Sequence, residues 1–167
     1  MLEAMKASTF ALAAATTLLI GGCAVVPPAP GTTRGEVLLA WGAPSARYDL
    51  DGGAERLEYA SGPYGRTTWM VDVDAAGRVT RSRQVLGEAE FLAVMSATTL
   101  RRDDLLRWLG TPGERRNGGR AGGEVWSWRY PTNDCLWFQS SVADDGRVTG
   151  SAYGTDPLCD APSDARD

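Results

Sequence analysis

Two hydrophobic spacings alternate along this chain. Short apolar runs opened by acidic residues, around Val37 to Trp41 and Leu105 to Leu109, read as brief helices. Gly42 and Gly110 end them, and Pro44 and Pro112 cannot extend them. Elsewhere apolar residues recur at every second position, as in Trp69, Val71 and Val73, the mark of a half-buried strand. Asp74 to Val79 and Asp144 to Val148 each carry Gly-Arg-Val after acidic and small residues and read as hairpin turns, with Gly77 in a left-handed position. Thr33 and Glu36 have the spacing of a capping box, and Asp103 and Asp104 fall in a first helical turn, where negative charge complements the helix dipole.

These signals repeat. EVLLAWGAPSARY from Glu36 answers DLLRWLGTPGERR from Asp104 at an offset of 68, and the likeness continues into the strands that follow. The pattern predicts strands near 46–50, 55–60, 67–74 and 78–85, then near 113–116, 124–130, 134–142 and 147–153. Between the two sets, GEAEFLAVM at 87–95 predicts a further short helix with Phe91, Leu92 and Met95 on one face, paired with the helix at 101–109. A four-stranded sheet with one apolar face needs a cover, and the helices are the candidates. The expected fold is therefore α+β: two tandem helix-plus-antiparallel-meander repeats, residues 31–86 and 87–160, sharing one continuous or nearly continuous curved sheet. Helices cover one face, and the other is open.

The N-terminal segment has its own logic. Lys6 precedes an uncharged run at 10–20, which is shorter than the roughly 20 residues a spanning helix needs, so residues 1–22 read as a secretion signal. Met5 is the more natural start, because Glu3 is out of place in a positive region. Ile20-Gly21-Gly22-Cys23 resembles a bacterial lipobox, which makes Cys23 the acylated first residue of the mature chain; the alternative is an ordinary signal with an incidental cysteine. Two or more acyl chains give stable anchoring where one does not. Pro27, Pro28 and Pro30 then make residues 23–30 a short extended tether. Ala24 stands where an inner-membrane retention signal usually has Asp, which favours the outer membrane.

Composition narrows the chemistry. The net charge is −4, and no basic stripe or arginine-aromatic platform appears, so no nucleic-acid partner is expected. The absence of histidine removes Ser-His-Asp and Cys-His catalysis and His-based zinc sites. Cys135 and Cys159, in an exported chain, predict a disulfide contributing about 3–4 kcal/mol. A redox pair is the alternative, against which stands the lack of C-x-x-C spacing. Asp49-x-Asp51-Gly52 and Asp72-x-Asp74 lack the glutamate that completes a calcium loop and read as turn formers, so no metal is expected. Ser61, Ser127, Ser140 and Ser141 have no base to activate them, and no particular carboxylate pair stands out. No cofactor, small-molecule substrate or enzymatic activity is expected. The tail at 161–167 is expected to be disordered.

Taken together, the lipobox, the tether, Gly31-Thr-Thr-Arg-x-Glu36-Val37, Trp41-Gly42-x-Pro44, the Tyr59 strand and the Gly77-Arg78-Val79 hairpin resemble the SmpA/OmlA, or BamE-like, family of outer-membrane lipoproteins over residues 31–153. The duplication is similar to the β-lactamase-inhibitor-protein fold, whose two units present a concave binding face. The family's member in the barrel-assembly machinery has one unit where this chain has two, so the resemblance implies fold and compartment rather than membership of that machinery.

Of six tryptophans, Trp41, Trp69, Trp108, Trp126 and Trp128 fall at helix ends or on the apolar phase of strands and read as core. Trp137 is out of phase with Leu136 and Phe138, which turns it onto the open face; Met70, its rough counterpart, and Arg129 are expected beside it as partner-binding residues. The expected function is a non-enzymatic lipoprotein on the periplasmic side of the outer membrane that binds a protein partner in envelope assembly or maintenance. An inhibitor module acting on a periplasmic or foreign enzyme is the alternative, and a carboxylate-dependent envelope hydrolase is a third.

Overall fold

The computed structural model describes residues 25–132, 135–156 and Cys159. The signal segment, Cys23 and the tail at 161–167 lie outside the described residues. The first unit runs α1 (Arg34–Trp41), β1 (Ala46–Asp49), β2 (Glu55–Ala60), β3 (Thr68–Val73) and β4 (Val79–Gln84). After α2 (Glu88–Ser96), the second runs α3 (Arg102–Leu109), β5 (Glu114–Asn117), β6 (Glu124–Arg129), β7 (Leu136–Val142) and β8 (Val148–Thr155). The fold is α+β, with each unit a helix followed by a four-stranded antiparallel meander.

The repeat extends to single hydrogen bonds. The Arg34 amide donates to Gly77 O and the Arg102 amide to Gly146 O; the Val79 amide donates to Thr32 O and the Val148 amide to Leu100 O. Each helix start is thereby tied to its own last hairpin. At α1 the capping box forms in full, the Thr33 amide donating to Glu36 Oε2 at 2.8 Å and the Glu36 amide to Thr33 Oγ1 at 3.3 Å. At α3 only one half recurs, the Arg101 amide donating to Asp104 Oδ2 at 2.8 Å.

Two expectations are corrected. The strands form two separate sheets, β1-β2-β3-β4 and β5-β6-β7-β8, rather than one continuous sheet. Helices also cover both faces of the first sheet. One face, with Leu57, Val71, Val73 and Val79, packs on Val37 of α1. The other carries Met70, which belongs to the larger core with Phe91 and Val94 of α2, Leu105 and Leu109 of α3, and Trp126, Trp128 and Phe138 of the second sheet. The layers are α1, first sheet, α2 with α3, second sheet. The units stack head to tail, so the helical layer of the second unit covers the first sheet as well as its own.

Glu58 holds this joint. It is 0% exposed and accepts from the Tyr48 hydroxyl, from Ser45 Oγ at 3.2 Å and, on both carboxyl oxygens, from the Thr111 amide at 3.1 Å just beyond α3. Gly110 makes the approach possible: it ends α3 at φ 83°, and a Cβ there would sit 2.8 Å from Thr68 Cγ2 and 3.0 Å from the Glu58 carboxyl carbon. Arg56 adds Nη1 to Arg107 O at 2.6 Å while pairing Asp72, and Arg83 reaches Glu90 of α2 at 2.8 Å.

Burial, then its bond to Glu58, holds the Tyr48 phenol well above its ordinary range. A phenol whose ionisation is suppressed in the folded state stabilises the fold fully below the unfolded value, and that contribution is lost as pH rises beyond it. Stability to urea is therefore expected to fall above about pH 10. Tyr48→Phe is expected to flatten that alkaline slope, and an unchanged slope would show that Tyr48 does not carry it.

Candidate functional site

On the second sheet, period-two alternation sends Trp126, Trp128, Phe138 and Val142 toward the helices, where Phe91 stacks on Phe138 with centroids 4.4 Å apart. The opposite face carries Val125, Ser127 and Arg129 of β6 paired with Ser141, Gln139 and Trp137 of β7. Register makes Ser127 and Gln139 the counterparts of Glu58 and Met70, which pair in the first sheet. The face that the first sheet buries under α3 is, in the second sheet, left without a helix among the described residues.

One end of this face forms a cleft of about 260 Å³. Arg129 and Trp137 make its floor as cross-strand neighbours. Pro63 and Tyr64, from the β2–β3 turn of the first unit, form one wall, and Glu114 and Asp156 complete it. The turn is seated closely: a Cβ on Gly113 would fall 2.6 Å from Pro63 O. The Arg129 guanidinium lies 4.9 Å from the Trp137 ring and 5.4 Å from the Tyr64 ring, a cation held between two aromatic faces. Arg129 also pairs with Asp156, whose side chain is 1% exposed.

The disulfide positions that acid. Cys135, just before β7, is bonded to Cys159 with Cα atoms 5.6 Å apart. The Asp156 amide donates to Cys135 O and the Cys159 amide to Asp156 O, both at 2.9 Å. Asp156 and Cys159 are thus both held beside the start of β7. Among the described residues, the buried Trp137 Nε1 and Arg129 Nε have no hydrogen-bond partner.

Of the three expected partner-binding residues, two meet here. Met70 does not: it is 1% exposed, in the core between the units. Its phase on β3 was read correctly as opposite to α1, but α2 and α3 cover that side. Trp137 occupies the helix-free face yet is only 5% exposed, because Arg129 lies over it. Among the tryptophans read as core, Trp126 and Trp128 are 1% exposed, whereas Trp41, Trp69 and Trp108 are half-buried. Tyr64 is the residue sequence reasoning missed. It is 76% exposed, and an aromatic inside Gly62-Pro63-Tyr64-Gly65 was its signal, since a loop position gives so large a ring no core to join.

The aspartates read as turn formers do local work: Asp72 pairs Arg56 at 2.5 Å, and Asp74 Oδ1 accepts from the amides of Ala76 and Arg78. A second hollow, about 400 Å³ between the first sheet and α3, is lined by Arg56 and Arg83, already paired with Asp72 and Glu90. Among the described residues no helix is long and apolar enough to cross a membrane.

No family model matches the sequence, and no curated protein does. Among solved structures the chain is similar to a DUF4309 family protein (YjgB) from Bacillus subtilis, at 12% identity over 75% of this chain and 79% of that one. The TM-score is 0.31, too loose a likeness to bear on fold or function.

Proposed function

We propose that this chain is a non-enzymatic, lipid-anchored protein on the periplasmic side of the bacterial outer membrane, and that it binds a protein partner through the helix-free face of its second sheet. One observation supports this reading above the others. The stacking that gives the first sheet a second helical layer leaves the second sheet without one among the described residues, and that face ends in a cleft where Tyr64 projects beside Arg129 and Trp137. Tyrosine, tryptophan and arginine are the side chains that most often dominate binding energy. Among the described residues, Trp137 and Arg129 also each hold a buried N–H without an acceptor.

Tyr64 is the side chain to test, because Trp137 is buried and its removal would disturb the fold. A photo-crosslinking residue at position 64, in intact cells, is expected to join one dominant envelope protein. Tyr64→Ala is expected to weaken that complex at least tenfold while changing stability by no more than about 0.5 kcal/mol, as for other exposed sites. A complex unaffected by Tyr64→Ala, or crosslinks no different from those at exposed Thr80, would refute the assignment.

A further inference from the structure

The tether, described from residue 25, is not a free spacer, and neither are Gly31 and Thr32 after it. Ser82 Oγ donates to Pro28 O at 2.7 Å, the Gly31 amide to Val79 O at 2.8 Å, the Val79 amide to Thr32 O at 2.8 Å, and Arg78 Nη1 to Gly31 O at 3.1 Å. These bonds strap the chain along β4, an edge strand of the first sheet. Upstream of the strap the surface turns apolar. Val25 and Val26 are 63% and 78% exposed. Val25 also helps line an open cleft of about 380 Å³ with Trp41, Tyr59 and Trp69. Their rings meet edge to face, Trp41 lying 5.1 Å from Tyr59 and 6.0 Å from Trp69. On the outer side of α1, Leu39 is 88% exposed, whereas the corresponding position of α3 is Arg107.

We infer that this side of the first unit, α1 with the strapped tether, is a seat on the lipid surface. The inference rests on the anchor reading of Cys23. That residue precedes Val25 by two positions, so its Cα lies within about 7 Å of Val25 Cα. Chains attached to so short a leash bring the bilayer against whatever surrounds Val25. What surrounds it is two bare valines and a Trp-Trp-Tyr cluster, side chains that gain by moving from water into the interfacial layer. Because the strap fixes the leash to β4, anchoring also sets orientation. The membrane then lies at the α1 end of the stack, against the cleft that Val25 shares with Trp41, Tyr59 and Trp69.

The test uses the full chain made in a bacterial host and returned to vesicles of phosphatidylethanolamine and phosphatidylglycerol containing brominated acyl chains. Intact mass is measured first, then tryptophan quenching. Acylation at Cys23 and strong quenching are expected, with quenching at least halved in Leu39→Glu, a fully exposed change that leaves the thermal midpoint and vesicle association intact. It is also expected to be at least halved when Trp41 and Trp69 are both replaced by Phe. A chain carrying no acyl group overturns the anchor reading, and the seat with it. An acylated, vesicle-bound chain that is unquenched, or equally quenched in Leu39→Glu, overturns the seat alone.

Discussion

Glu58→Ala is expected to cost the fold about 3 kcal/mol or more, at about 1–3 kcal/mol for each buried donor left without its acceptor. The donors are the Tyr48 hydroxyl, Ser45 Oγ and the Thr111 amide. Ser45 is exposed and can turn to water, but the Thr111 amide is fixed by the end of α3. The loss therefore strikes the joint between the units rather than the first sheet alone. Urea unfolding measures it, and Glu58→Gln, which keeps one acceptor oxygen, is expected to fall between parent and Ala. A Glu58→Ala midpoint equal to the parent's would mean that α3 does not sit on the first sheet as described.

Opening the disulfide is expected to have an effect of similar size. Closing a 24-residue span is worth about 3.5 kcal/mol in the chain-entropy account, so Cys135→Ala, or reduction, should lower stability by roughly that amount. The bond also holds the segment that presents Asp156 to Arg129, so a local signature should accompany the global one. Releasing that segment uncovers Trp137, whose emission is expected to shift to the red under native conditions, before unfolding begins. Loss of stability with no change in that emission would separate the staple from the cleft.

Much of this architecture was legible in the chain. Glycine followed by proline at 42–44 and 110–112 ended both helices, because those residue types allow few other backbones. The acidic-Gly-Arg-Val turns set hairpins whose glycines, Gly77 and Gly146, adopt φ 76° and 82°. The layering was not legible, because neighbouring layers are set by contacts between residues far apart in sequence. Even so, β3 carried a hint. Trp69, Met70 and Val71 are apolar in succession, as expected of a strand covered on both faces, whereas β8 places Gly150, Ala152 and Gly154 on one phase, as a bare face allows. Reading Met70 as exposed gave weight to phase and none to that run. Glu58 was the harder residue, since nothing in its neighbourhood announces that its donor lies at Thr111.

The joint between the units also governs when the first one can finish folding. A polypeptide leaving a ribosome or a secretion channel N-terminus first has extruded the whole opening meander by Gln84, while the amide that Glu58 awaits is still to come. Until Thr111 arrives, the early half stands as an incomplete intermediate, its acid solvated and Met70 bare. A product cut short after residue 86 would lack for good both that amide and the α2 and α3 side chains that cover Met70.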